Sequence, residues 1–286
     1  MTTVVIDNNG NKLHSKVYLN KDKETIILLH GGPGVPDDLL PVVDLLKDTF
    51  QVITFHQRGT KLSPCINHDY SMNAYVNDIQ SIKKHFKLTS FHLWGHSWGG
   101  LYAQIYAQKY PGNLLSLFLC STASGTNIHW KQTEKEVMDF NKSSTSFLQW
   151  LKMGWYSLSG YMGNNKSYQK LFQQVIKNYN KKFQPINTSV FSFSLSNVKA
   201  KPINKTRPEI IKYPLLLKNS KPNYKISIVY GEFDIYKVSK KFVIDRYPSA
   251  SVKNIKDSGH LPWLHNPFEF KKIVSHFYNL KRNHQL

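Results

Sequence analysis

The hexapeptide Gly95-His96-Ser97-Trp98-Gly99-Gly100 constrains this chain more than any other feature, because it joins an apolar β-rich run at 90–94 to a helical pattern at 98–109. A serine between two such elements occupies a sharp turn in which only small neighbours avoid backbone clashes. The helix start behind it aims N–H groups and the positive end of a dipole at any oxyanion that forms there. A glycine-rich turn with a capping serine would show the same letters. The strand-turn-helix placement argues against that simpler reading.

The flanking pattern has the rhythm of an α/β protein. A hairpin is expected at the start, residues 3–7 and 13–19, turned at Asn8-Asn9-Gly10-Asn11, since Asn-Gly supplies the positive φ values of a tight turn. Apolar runs at 24–30 and 51–56 read as strands with a helix near 38–47 between them, and a helix at 73–86 leads into 90–94. A buried strand at 114–120 closes this half. Over 124–221 the rhythm is lost, and the segment fills with Lys, Asn, Ser and aromatics, among them Trp130, Trp150, Trp155, Tyr168 and Phe172. An inserted helical cap fits it best. Strands at 225–230 and 251–255 then flank a helix at 238–246, and an amphipathic helix at 267–280 ends the pattern. The expected division is a core of 1–123 and 222–286 with a cap at 124–221. Its mostly parallel sheet would carry helices on both faces, with active residues at the carboxyl ends of strands.

A nucleophilic serine at neutral pH needs a base, and the base needs a carboxylate to fix its tautomer. Asp234 follows the strand at 225–230 and His260 follows the strand at 251–255, so serine, acid and histidine occur in the order this arrangement imposes. Glu232 and Asp257 compete for the acid's place, with Asp234 favoured by its position in the loop beyond the strand. His92 and His96 lie near Ser97 but belong to its own strand and turn. His30-Gly31-Gly32-Pro33-Gly34 ends another strand, where glycines let backbone approach a substrate. One N–H from this loop, that of Gly32, and the N–H of Trp98 are the expected oxyanion donors.

These pieces resemble the prolyl aminopeptidases, also called proline iminopeptidases, of the α/β-hydrolase superfamily. The resemblance rests on HGGPG at 30–34, QRG at 57–59, SWGG at 97–100, Gly231 through Asp234, and Gly259-His260. It covers both halves of the core and none of the cap. It implies an α/β-hydrolase fold, a Ser97–His260–Asp234 triad, Gly32 and Trp98 as oxyanion donors, and release of N-terminal residues from short peptides. The alternative is a carboxylesterase or related acyl hydrolase with an apolar acyl pocket. Epoxide hydrolases and dehalogenases of this superfamily place aspartate where Ser97 stands.

Three departures from that family bear on the substrate. His56 stands where the family has the aspartate of DQRG, with Thr60-Lys61 following the glycine, and His96 stands where the family often has glycine. Aminopeptidases of this type hold the substrate's amine with acidic cap residues, and the expected cap offers only Glu134, Glu136, Asp139 and Glu209.

Net charge matters for partners. Thirty-eight Lys plus Arg against eighteen Asp plus Glu give +20, which raises the question of nucleic acid. Arginine, the better residue for bidentate recognition, occurs only at Arg58, Arg207, Arg246 and Arg282, and the lysines are spread along the chain. A solvated surface is the expectation, with a small molecule or short peptide as substrate and no nucleic acid. Cys65 and Cys120 are too few for a disulfide framework and lack metal-ligand spacing. No cofactor or metal is implied, since the serine supplies the nucleophile. Without a basic-then-apolar opening or an apolar run of spanning length, a cytoplasmic protein with no stable membrane insertion is expected.

Overall fold

The structure is a computed structural model that describes residues 1–60, 62–183, 186 and 191–280. Lys61, residues 184, 185 and 187–190 of the expected cap, and residues 281–286 of the expected core lie outside the described residues.

Among the described residues, eight strands form one sheet: β1 (Thr2–Asn8), β2 (Asn11–Tyr18), β3 (Thr25–Leu29), β4 (Gln51–Phe55), β5 (Phe91–His96), β6 (Leu114–Cys120), β7 (Lys225–Gly231) and β8 (Ser251–Ile255). Their spatial order is β1-β2-β4-β3-β5-β6-β7-β8. Strand β2 runs antiparallel to β1 and β4, and every other pairing is parallel. This is the α/β arrangement that the alternating pattern predicts. The opening hairpin turns on Asn9 (φ 51°) and Gly10 (φ 82°), the two positive values that a two-residue turn of matching twist requires.

Successive side chains of a strand point to opposite faces, and the buried residues divide accordingly. Ile27, Leu29, Leu93, Leu117, Leu119, Ile226 and Ile228 pack on one face against helices α2 (Met72–His85) and α3 (Trp98–Lys109). On the other face, Ile26, Leu28, Val52, Trp94, Phe118 and Val229 meet α1 (Leu40–Leu46) and α11 (Pro267–Tyr278). Covered on both faces, the inner parallel strands β3, β5, β6 and β7 read as largely continuous apolar runs, whereas β8 at the edge is mostly exposed.

Among the described residues, five helices lie between β6 and β7: α4 (Ile128–Ser144), α5 (Phe147–Tyr161), α6 (Asn165–Asn180), α7 (Ser192–Ser196) and α8 (Ala200–Lys212). After β7 come α9 (Lys240–Arg246) and, beyond β8, a short α10 (Pro262–His265) that the sequence pattern does not announce. Three boundaries shift from expectation for local reasons. Helix α1 begins later because Leu39 is left-handed (φ 52°) and Pro41 opens the helix. Strand β5 continues to His96 because it stays paired with β6 as far as Cys120. Helix α11 stops at Tyr278, where Asn279 turns left-handed (φ 53°). Among the described residues no helix is long and apolar enough to cross a membrane.

Candidate active site

The carboxyl ends of β3, β5, β6 and β7 lie side by side, with Leu29 in register with Gly95 and His96 with Cys120. At this edge β5 passes to α3 through Ser97, whose backbone (φ 52°, ψ −118°) is neither helix nor strand. Such a conformation costs a non-glycine residue on the order of 1–3 kcal/mol and persists only where the surroundings enforce it. Here Ser97 N–H donates to the Cys120 carbonyl (3.2 Å), and the Ser97 carbonyl accepts from Ala123 (3.0 Å) and Leu101 (3.2 Å). The neighbouring glycines are sterically obligatory. A Cβ at Gly99 would lie 2.2 Å from the Leu29 carbonyl oxygen, and one at Gly95 would lie 2.7 Å from Gly100 Cα.

Ser97 Oγ donates to His260 Nε2 at 3.1 Å, and His260 Nδ1 donates to Asp234 Oδ1 at 3.1 Å. Asp234 lies just beyond β7 and His260 beyond β8, so three residues far apart in sequence meet above adjacent strand ends. Gly231 lets the two loops close. A Cβ there would come 2.3 Å from the Gly259 carbonyl oxygen. Burial by itself raises the Asp234 carboxyl, but the charge and hydrogen bond of His260 outweigh it and hold the group below the ordinary carboxylate value. The Tyr236 amide adds a bond to the same oxygen at 3.2 Å.

The competing residues have other partners. Glu232 accepts the Asp257 amide (3.1 Å), while His92 bonds Ser116 (2.8 Å) and Glu24 (2.9 Å) near the opposite end of the strands. His96 donates from Nε2 to the His260 carbonyl (2.9 Å) and is fully buried, and burial together with repulsion from His260 lowers it to about 3. It is therefore a neutral wall beneath His260.

Beside Ser97 lies the loop after β3. A Cβ on Gly31 would stand 3.2 Å from Ser97 Cβ, and Gly32 follows with φ +61°. Among the described residues, the amides of Gly32 and Trp98 donate to no protein acceptor, which leaves both N–H groups for a ligand. Gln57 ties these two places together. Its Nε2 donates to the His30 carbonyl (2.7 Å), and its Oε1 accepts from the Trp98 indole (2.8 Å). His30, lowered to about 4 chiefly by burial, is a neutral imidazole that accepts the Gln57 amide at Nε2 (3.4 Å) and donates from Nδ1 to the Gly31 carbonyl (2.8 Å).

Sequence reasoning assigned no role to Gln57 and did not single out Tyr236 at all. The Tyr236 hydroxyl donates to Ser97 Oγ at 3.2 Å, and its ring meets the His260 ring edge-on at 5.1 Å. The Asp-Ile-Tyr run at 234–236 carried that signal, because a residue two places beyond the acid shares its loop. At position 56 the missing carboxylate returns from elsewhere. His56 Nε2 bonds Asp38 Oδ1 at 3.2 Å. Burial opposes ionisation of Asp38, but its bonds to His56 and Lys16 prevail and lower it to about 2. Arg58 of the QRG run is structural: its guanidinium bonds Asp78 at 2.8 and 2.6 Å, both groups buried.

Aromatic rings from the helices between β6 and β7 reach His260: Tyr179 of α6 lies edge-on to it at 5.1 Å, with Phe140 of α4 behind Tyr179 at 5.7 Å. The four carboxylates of that segment are engaged elsewhere. Glu136 accepts the amides of Lys237 (3.2 Å), Val238 (2.7 Å) and Ser239 (3.0 Å) and the Ser239 hydroxyl (2.6 Å). Glu134 grips Arg207 at 2.6 and 2.8 Å, Asp139 pairs with Lys135 at 2.8 Å, and Glu209 pairs with Lys212 at 3.7 Å. Among the described residues no cluster of three or more His, Cys, Asp and Glu is placed to hold a metal ion.

Residues 24–267 match the family model described as alpha/beta hydrolase fold. Among curated proteins, the chain is 33% identical over 122 residues to a proline iminopeptidase of Lactobacillus helveticus, covering 41% of this chain and 42% of that one. A proline iminopeptidase of Clostridioides difficile is 30% identical over 122 residues, 41% of each chain. The matched stretch thus spans less than half the length of these curated relatives. Among solved structures, an epoxide hydrolase from Bacillus megaterium superposes with a TM-score of 0.74 at 20% identity, covering 96% of this chain and 100% of that one. A proline iminopeptidase of Mycobacterium smegmatis gives 0.69 at 16% identity, with 97% and 98% covered. At such identities the likeness is one of fold.

Proposed function

Because this chain belongs to the alpha/beta hydrolase fold family, we propose that it is a serine hydrolase working through an acyl-enzyme on Ser97. The observation that carries the reading is the continuous relay from Ser97 Oγ through His260 to Asp234, with 3.1 Å at each step. Ser97 attacks the substrate carbonyl as His260 Nε2 takes its proton, and Asp234 steadies the imidazolium through Nδ1. The amides of Gly32 and Trp98 receive the oxyanion, each worth about 3 kcal/mol of barrier in sites of this kind. His260 then returns the proton to the leaving group. Water then attacks the acyl carbon as the same imidazole takes its proton, and the imidazolium returns that proton to Ser97 Oγ as the C–Oγ bond breaks and the acid leaves. Gln57 keeps the two oxyanion donors in register through its bonds to the His30 carbonyl and the Trp98 indole.

Residues 124–221 act as a cap in this reading, with Tyr179 and Phe140 walling the site beside His260. Two substrate classes share the chemistry. Release of N-terminal residues from short peptides is supported by the names of the curated relatives. A carboxylic ester or related acyl substrate without a free amine is supported by the cap itself. Holding an ammonium group there needs an available carboxylate, and each of the four has another partner. The geometry favours the second class.

A panel of prolyl and alanyl p-nitroanilides and short-chain p-nitrophenyl esters separates the two. Ester hydrolysis that Ser97→Ala abolishes, with little turnover of the unblocked anilides, is the expected result. Faster cleavage of the prolyl anilide would overturn the substrate class, and full activity in Ser97→Ala would overturn the mechanism.

A further inference from the structure

The outward side of α5 is apolar along its whole length. Phe147, Leu148, Leu151, Trp155, Leu158 and Tyr161 are between 53% and 73% exposed, and their spacing puts them on one side of the helix. Scattered exposed hydrophobics are ordinary, but a continuous stripe with two aromatic rings and a Trp marks a surface that meets something. The helix cannot roll to hide it. Met153 is buried on the inner side, Gly160 packs so close to α6 that a Cβ would lie 2.2 Å from the Tyr168 ring, and Asn204 holds the Gly160 and Tyr161 carbonyls at 3.0 and 2.9 Å.

Charge in the segment that carries the stripe is one-sided. Between Asp139 and Glu209 the sequence has no acidic residue, while ten lysines and Arg207 fall there. Lys142, Lys152, Lys166, Lys170 and Lys177 are exposed, and among the described residues none of the five pairs with a carboxylate. A second copy of the chain docking by this face about a two-fold axis would lay the same cationic, acid-free surface on itself. An anionic amphiphilic surface is complementary in both respects.

We propose that α5 is a docking surface for an anionic lipid membrane, on which its apolar stripe sinks into the interface while the surrounding lysines meet lipid phosphates. A Trp, Phe and Leu face bordered by lysine is what lies in the headgroup region without spanning it. This surface is independent of the hydrolytic site, and binding is read without turnover.

The test is co-sedimentation of the full chain with vesicles of phosphatidylcholine containing phosphatidylglycerol, beside vesicles of phosphatidylcholine alone. The expected result is binding to the anionic vesicles, about tenfold or more weaker binding to the neutral ones, and weakening by salt. The double variant Leu151→Glu with Trp155→Glu should lower partitioning about tenfold or more. Val5→Glu with Leu19→Glu, two exposed apolar positions outside α5 that add the same two charges, should change it by less than about twofold and so controls for net charge alone. Both variants alter solvent-facing side chains, and circular dichroism verifies their fold. No binding to anionic vesicles would overturn the proposal, as would equal losses in the two variants. So would a dimer in light scattering that the double variant converts to monomer, which would assign the stripe to a second copy.

Discussion

The sheet core and the five inserted helices treat their polar groups in opposite ways. At the strand ends, buried polar side chains bond one another around Ser97: His260 reaches Ser97, Asp234 reaches His260, and Gln57 joins the His30 carbonyl to the Trp98 indole. In the inserted helices, carboxylates are turned toward neighbours instead, with Glu136 saturated by the loop after Asp234 and Glu134 held by Arg207. The core also tolerates almost nothing at its turns, as the contact a Cβ on Gly99 would make at 2.2 Å illustrates, whereas Gly154 in α5 has open space around it. The turn at Ser97 thus lies in a region where backbone geometry admits one residue, and α5 in a region where many would serve.

Acid should expose this difference most strongly. His30 and His96, held neutral by burial with values of about 4 and about 3, lie in the core, while the only histidine between β6 and β7 is His129. The unfolded chain binds protons at both sites below about pH 6.5, and the folded chain does not until far lower, so stability is full above that pH and falls as pH drops towards 4. At about 1.4 kcal/mol per pKa unit, the pair withdraws several kcal/mol. Denaturant midpoints measured from pH 7 to 4 should decline steadily, with amide exchange rising first at the ends of β3 and β5 rather than in α5 and α6. A flat profile would break the contrast.

Legibility in the sequence follows the same divide. The turn at Ser97, the HGGPG loop and the Asn9-Gly10 hairpin were readable because each depends on local sterics that only certain residues satisfy. The placement of Asp234 and His260 followed from strand ends and chain order. Gln57 shows in the sequence only as part of QRG, because what it does depends on Trp98, a contact across 41 positions. Tyr236 is legible only as a loop neighbour of Asp234, and its bond to Ser97, 139 positions away, is not. The fate of Glu136 shows the limit most clearly: counting cap carboxylates revealed how few there are, and only tertiary structure reveals that this one caps residues 237–239.

Two substitutions sharpen the comparison at smaller scale. Gln57→Leu keeps the side chain's approximate volume but frees the loop after β3 from Trp98. Turnover should fall about 10- to 100-fold while KM moves little, since misplacement of a transition-state donor acts on the barrier. Steady-state kinetics on an ester substrate decides it, and an unchanged rate would remove Gln57 from the account. Glu136→Gln retains some acceptor capacity and should cost about 1–3 kcal/mol of stability, leaving kcat within about threefold. Thermal melting beside kinetics checks this one. A selective loss of amino-acyl amide cleavage at constant stability would instead give Glu136 a place in substrate binding.

The central claim, a covalent intermediate on Ser97, is tested most directly by trapping it. After incubation with a fluorophosphonate, intact-mass and peptide-mapping spectrometry should find one adduct per chain, located on Ser97 and strongly suppressed in His260→Ala. A label on another residue, or one formed at the same rate without the imidazole, would contradict the account.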